Sequence, residues 1–242
     1  TGASGTFGKA VARCLFDQDM NILLVGRNTE RLKTLSDELS YKRKRPNSIK
    51  IEICDFDKDE EIESLANRLQ RGGIRVDVLC HCAGISRVFA MDKTPTKEWN
   101  RLWRINVSSV VLITCRLVPL MTDGAAIVTI GSTAGMRPII DYSAYTTTKA
   151  AVIHFTKAAA LELAPRRIRV NCICPGVVKS RIHCETPLGD QELFYESMRL
   201  ATPMLRLGSP ADIVSAVAFL VSDAATWITG AVLTIDGGLS LI

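Results

Sequence analysis

The chain has 242 residues, 47% of them apolar and 23% charged, a balance that excludes a disordered chain, a coiled coil and a collagen-like repeat. Thirty basic side chains against 25 acidic ones give a net charge of +5, too mild and too dispersed to indicate a nucleic-acid partner. A chain of this length buries roughly three quarters of its unfolded surface, so its core needs no disulfide or metal staple.

Mean hydropathy is +0.16, yet charges are expected to interrupt every apolar run short of about 18 residues, so no membrane span is expected. The one dense basic run, Lys42 to Arg45, reads as a solvated loop after a helix. Eight cysteines fall without framework or zinc-ligand spacing. Cys80/Cys82 and Cys172/Cys174 sit in apolar β-rich runs and read as buried free thiols, so no metal is expected.

Thr1-Gly2-Ala3-Ser4-Gly5-Thr6-Phe7-Gly8 comes first and opens a helix to about Asp17. A glycine-rich turn at a helix start offers backbone N–H groups and the positive dipole end to a diphosphate. Apolar runs follow at Ile22 to Val25, Ile49 to Ile53, Val76 to Cys82, Ile127 to Ile130, Ile168 to Ile173 and Val232 to Ile235. Helix-length segments separate them, among them Thr29 to Leu39, with Leu32, Leu35 and Leu39 on one stripe, and Asp59 to Leu69. The alternation predicts one α/β domain over residues 1–242, a doubly wound Rossmann-type parallel sheet covered by helices on both faces. Ligands in such sheets sit at the carboxyl ends of the strands, where functional residues are therefore expected.

Gly26 and Arg27 close the first apolar run, where NAD enzymes of this architecture carry an acid for the ribose hydroxyls. A carboxylate there repels a 2′-phosphate, whereas a guanidinium pairs with it, so NADP(H) is expected ahead of NAD(H). An exposed arginine starting a helix is the plainer alternative. Asp55 and Phe56 follow the next run, and His81-Cys82-Ala83-Gly84 the third. Asn106 is a polar residue inside an otherwise amphipathic helix, and Ser132 ends the Ile127 to Ile130 segment. Tyr145 and Lys149 stand four apart, on one face of a helix, where a cation favours the phenolate and makes the tyrosine useful as an acid or base. Pro175, Gly176, Val178 and Ser180 follow the fifth run, and Asp236-Gly237-Gly238 the last.

In this order and spacing the motifs resemble the short-chain dehydrogenase/reductase family over almost the whole chain, closest in pattern to 3-oxoacyl-(acyl-carrier-protein) reductase-like carbonyl reductases. The resemblance implies an enzyme that moves a hydride between nicotinamide and a ketone or secondary alcohol. It implies that Tyr145 exchanges a proton with the substrate oxygen, Lys149 lowers the tyrosine pKa and holds the nicotinamide ribose, Ser132 positions the carbonyl, and Asn106 holds a relay water. Gly2, Ser4, Thr6, Phe7, Gly8, Arg27, Asp55, Phe56, Ala83, Gly84, Tyr145, Lys149, Pro175, Gly176, Val178 and Ser180 are then the cofactor contacts. Asp55 accepts the adenine amino group in this reading, or else caps the following helix.

Two positions depart from the family pattern. Thr6 replaces a glycine, so either its Cβ crowds the phosphates or the turn shifts to use Gly5. His81 replaces a strand-bracing asparagine; it either makes equivalent hydrogen bonds or titrates beside the cofactor below pH 7. The substrate loop, about 181–209, is rich in apolar residues, including Leu188, Leu193, Phe194, Met198, Met204 and Leu205 beside Arg181, His183 and Cys184. It suits a ketone with hydrophobic bulk. A 3-oxoacyl thioester is one candidate, with Arg166 and Arg167 as bases for an acidic carrier; polyols, steroids and xenobiotic ketones are others. A dinucleotide-binding regulator without turnover is the rival class.

By resemblance the helices Trp99 to Met121 and Tyr142 to Leu163 pair between subunits, and Val110, Ile113 and Leu117 are compatible with a homotetramer or with packing on the sheet. The family's central strand is expected ahead of Thr1. The expected compartment is the cytoplasm, with an organellar address left open.

Overall fold

A computed structural model describes residues 1–42, 48–184 and 190–242; the basic run beyond Lys42 and the loop residue Leu188 lie outside them. Six apolar runs become strands: β1 (Ile22–Gly26), β2 (Ile49–Ile53), β3 (Val76–His81), β4 (Met121–Ile130), β5 (Arg169–Pro175) and β6 (Val232–Ile235). All pairings among the described residues are parallel. They form two sheets, β1-β2 and β3-β4-β5-β6, where sequence predicted one.

Between β1 and β3 runs a cavity of about 650 Å³, lined by Ile22 to Val25 on one side and Val76 to Cys80 on the other. The start of the chain crosses it. The Thr1 amino group donates to the Cys80 carbonyl at 2.6 Å, and the Ala3 N–H to Val25 at 3.1 Å.

Nine helices are described: α1 (Thr6–Asp17), α2 (Thr29–Lys42), α3 (Asp59–Arg71), α4 (Thr96–Trp103), α5 (Ser109–Leu117), α6 (Ser143–Leu163), α7 (Arg181–Cys184), α8 (Gln191–Ala201) and α9 (Pro210–Val221). Their apolar stripes cover both sheet faces, as continuous apolar strands require. Ile62, Leu65 and Leu69 of α3 and Ile113 and Leu117 of α5 pack with Leu79, Ile127 and Val170. On the opposite face Val11 and Leu15 of α1 and Ile213 and Val217 of α9 pack with Val128, Ile130 and Ile173. Leu32, Leu35 and Leu39 of α2 close over Leu24.

The helical run Thr96–Leu120 is long and apolar enough by composition to span a bilayer, although Arg101, Arg104 and Arg116 interrupt it as expected. Half of its apolar window is buried within the protein, with Leu102, Ile105, Val110, Ile113 and Leu117 facing the core. The three residues considered for subunit contact thus serve the chain's own core.

Candidate active site

The cofactor loop is shaped by close approach. Gly2 has φ +65°, and a Cβ there would stand 2.6 Å from the Ala83 nitrogen; one on Gly8 would stand 2.1 Å from the Gly2 carbonyl oxygen. Gly5 caps α1 without a side-chain hydrogen bond, which leaves the first-turn N–H groups open. Thr6 is the first helical residue, and its hydroxyl accepts the Arg181 N–H at 3.4 Å from the neighbouring substrate segment. Phe7 packs against the α1–α9 core rather than standing free.

At the end of β1, Arg27 is exposed, and the Ser4 hydroxyl lies 3.7 Å from where a Gly26 Cβ would stand. Asn28 caps α2 by accepting the Arg31 N–H at 2.9 Å. Asp55 shapes the turn into α3: its N–H donates to Glu61 at 2.8 Å and its Oδ1 accepts the Asp57 N–H at 3.2 Å. Phe56 is buried in the core. Gly176 lies against Asp236, Val178 bridges Gly208, and the Pro175 carbonyl accepts the Thr133 hydroxyl at 3.3 Å. Ser180 is half-buried at the entrance to α7.

Asn106, Ser132, Tyr145 and Lys149 converge beyond the carboxyl ends of β3 to β5. Asn106 lies in a π-turn, Arg104–Ser108, between α4 and α5, the kind of irregularity that helices carry at functional sites. Its Oδ1 accepts the Ile85 N–H at 2.9 Å, and its Nδ2 donates to the Ile85 carbonyl at 2.9 Å and the Thr148 hydroxyl at 3.0 Å. Ser132 hydrogen-bonds Tyr145. The Lys149 ammonium donates to the Ile130 carbonyl at 2.9 Å and sits 5.8 Å from the Tyr145 ring centre. A Cβ on Gly84 would stand 3.4 Å from Asn106 Oδ1 and 3.5 Å from Lys149 Nζ, so the missing side chain keeps a space between them. An open helix start, glycine-lined approach and this space are what a bound dinucleotide requires.

A family profile described as "Enoyl-(Acyl carrier protein) reductase" matches residues 2–240. Carbonyl reductase family member 4 of Xenopus tropicalis is 32% identical over 243 residues, 99% of this chain and 96% of the relative. Nodulation protein G of Rhizobium sp. (strain N33) is 31% identical, over 100% and 96%. The solved 3-ketoacyl-(acyl-carrier-protein) reductase of Brucella melitensis complexed with NADH superposes with a TM-score of 0.86 at 28% identity, covering 99% of this chain and 96% of that one. The chain belongs to the short-chain dehydrogenase/reductase family. It is an oxidoreductase acting on CH–OH/C=O groups.

Within this short-chain dehydrogenase/reductase, burial decides the electrostatics of the tetrad. Burial pushes the Tyr145 phenol up to about 12, against the lowering effect of the Ser132 hydrogen bond. Burial also pulls Lys149 below its ordinary value.

His81 is buried. Thr114 donates its hydroxyl to the Val110 carbonyl at 2.7 Å, so at 3.0 Å its oxygen accepts the His81 Nε2–H, and Nδ1 has no partner among the described residues. Burial holds the imidazole down at about 3. His81 therefore braces the strand and does not titrate just below pH 7.

Arg166 departs from the expectation of a base for an acidic carrier. Its guanidinium holds Asp123 and the Val118 and Met121 carbonyls, at the amino end of β4 and away from Ser132. It is committed to the fold and does not face the cleft. The sequence reading missed Thr148 and Ile85, which fix Asn106; Thr148 lies inside the Tyr145–Lys149 turn, where its spacing was a readable signal.

Proposed function

We propose that this short-chain dehydrogenase/reductase uses NADP(H) to reduce ketones with apolar bodies, a 3-oxoacyl thioester among them. The observation that carries the cofactor choice is the exposed Arg27 at the carboxyl end of β1, with Ser4 nearby and no carboxylate at that strand end. A guanidinium there attracts a 2′-phosphate. Bound nicotinamide supplies the hydride, and the chain supplies position and protons. Gly2, Gly5 and Gly8 permit close approach of the diphosphate to α1. Lys149 and Asn106 flank the space at Gly84 for the ribose, and Ser132 and Tyr145 hold the substrate oxygen, to which the Tyr145 phenol gives its proton.

The substrate class rests on exposed apolar side chains of the two segments after β4 and β5. Met136, Ile139 and Ile140 lie between Ser132 and Tyr145, and Leu193, Met204 and Leu205 lie in the substrate segment. Two of the similar proteins, carbonyl reductase family member 4 and 3-oxoacyl-[acyl-carrier-protein] reductase, carry names that fit this reading.

The test is a ketone panel, including a 3-oxoacyl thioester, run with NADPH and NADH in parallel. NADPH is expected to give the higher kcat/KM, and Arg27→Glu to lower the NADPH value by about 10- to 100-fold, the worth of one charge-assisted hydrogen bond. A wild-type preference for NADH overturns the cofactor choice, and turnover confined to small polar ketones overturns the substrate class.

A further inference from the structure

Beneath the catalytic serine lies a pair of thiols that the proposed reaction does not use. Cys172 and Cys174 are fully buried on the central strand β5, two residues apart and so on one face. Their sulfurs are 3.8 Å apart. Both press on Gly131: a Cβ there would stand 2.7 Å from Cys172 Sγ and 2.9 Å from Cys174 Sγ. The Gly131 N–H donates to the carbonyl of Ile173, the residue between the two cysteines, at 2.7 Å. The backbone that carries the Ser132 hydroxyl therefore rests on the two sulfurs.

Geometry decides which chemistry this pair can perform. Alternate residues of a strand have Cα atoms about 6.6 Å apart, near the upper limit of about 6.8 Å for a disulfide. Direct S–S bonding would also pull the sulfurs to about 2.05 Å, a displacement that a central strand paired on both edges resists. A single soft atom bonded to both sulfurs leaves them near their present separation. The Cys174 thiol, the Thr129 hydroxyl and the Lys149 charge lower the Cys172 thiol against the cost of burial.

We propose that Cys172 and Cys174 form a dithiol site for a trivalent arsenic centre, and that its occupation disables the active site through Gly131 and Ser132. Arsenous acid is uncharged at neutral pH, so it enters a buried site without the cost of stripping an ion of water. Two S–H and two As–O bonds break, two As–S bonds form, and two waters leave; the arsenic keeps its third hydroxyl and nothing is oxidised or reduced.

The test treats the full chain with sodium arsenite and reads native intact mass, thiol titration and peptide mapping, none of which depends on the substrate or cofactor. One arsenic per chain is expected, with two thiols lost and the arsenic mapped to the tryptic peptide 170–179. A dithiol such as dimercaptopropanol removes it, while an equal concentration of a monothiol does not. Cys172→Ser and Cys174→Ser each abolish uptake, whereas the double variant Cys80→Ser/Cys82→Ser keeps it. Ketone reduction falls in proportion to wild-type uptake. Absence of uptake, mapping to the Cys80/Cys82 peptide, or uptake persisting in Cys172→Ser overturns the site. Stoichiometric uptake with undiminished turnover overturns its link to Ser132.

Discussion

Tyr145 shows how a residue's surroundings set its task. With its phenol held at about 12 by burial, it keeps its proton across the neutral range, as the acid role proposed for it in carbonyl reduction requires. The pH profile of kcat/KM for reduction is expected to stay flat through neutrality and to fall only as the phenol ionises in strong alkali. Tyr145→Phe is expected to lower kcat by about 10²- to 10⁴-fold, the usual share of general acid catalysis, with little change in NADPH affinity measured by fluorescence titration. His81 bears on stability instead. Its folded value of about 3 lies below the ordinary value of about 6.5, so the unfolded chain binds the extra proton between them. Stability from this site is complete above about 6.5 and is lost as pH falls toward 3, up to roughly 4 kcal/mol. Urea unfolding at pH 7 and pH 4 measures the loss, which His81→Asn is expected to reduce.

Two glycines with similar dihedrals separate strain from close approach at the level of the element. Gly2 (φ +65°) would place a Cβ 2.6 Å from the Ala83 backbone, while Gly73 (φ +62°), after α3, would meet nothing within 4 Å. Gly73→Ala is expected to cost about 1–2 kcal/mol for the left-handed backbone alone. Gly2→Ala adds a backbone overlap that no rotamer relieves and should lower the thermal midpoint further, with loss of cofactor binding. The strand and helix pattern was readable because β1 to β6 are nearly continuous apolar runs and α2 and α3 carry clean stripes. The convergence of Ser132, Tyr145 and Lys149 was readable because they hold fixed spacings next to a strand end. What the sequence hid depends on distant partners. The commitment of Arg166 to the β4 start needs Asp123, Val118 and Met121 brought together by the fold. The π-turn at Asn106 likewise arises from its bonds to Ile85 and Thr148, far away in sequence.

For the whole molecule the cavity between β1 and β3 dominates. Its lining mixes apolar side chains of both strands, such as Leu23, Val25, Val78 and Leu79, with polar groups such as Asp19, Asn21, Lys50 and Asp77. The proposed cofactor would span the carboxyl edge of the molecule, its adenosine end beside Arg27 after β1 and its nicotinamide end beside Lys149, whose ammonium holds the end of β4. Intact NADPH should therefore quiet both regions in hydrogen exchange, and 2′,5′-ADP only the first.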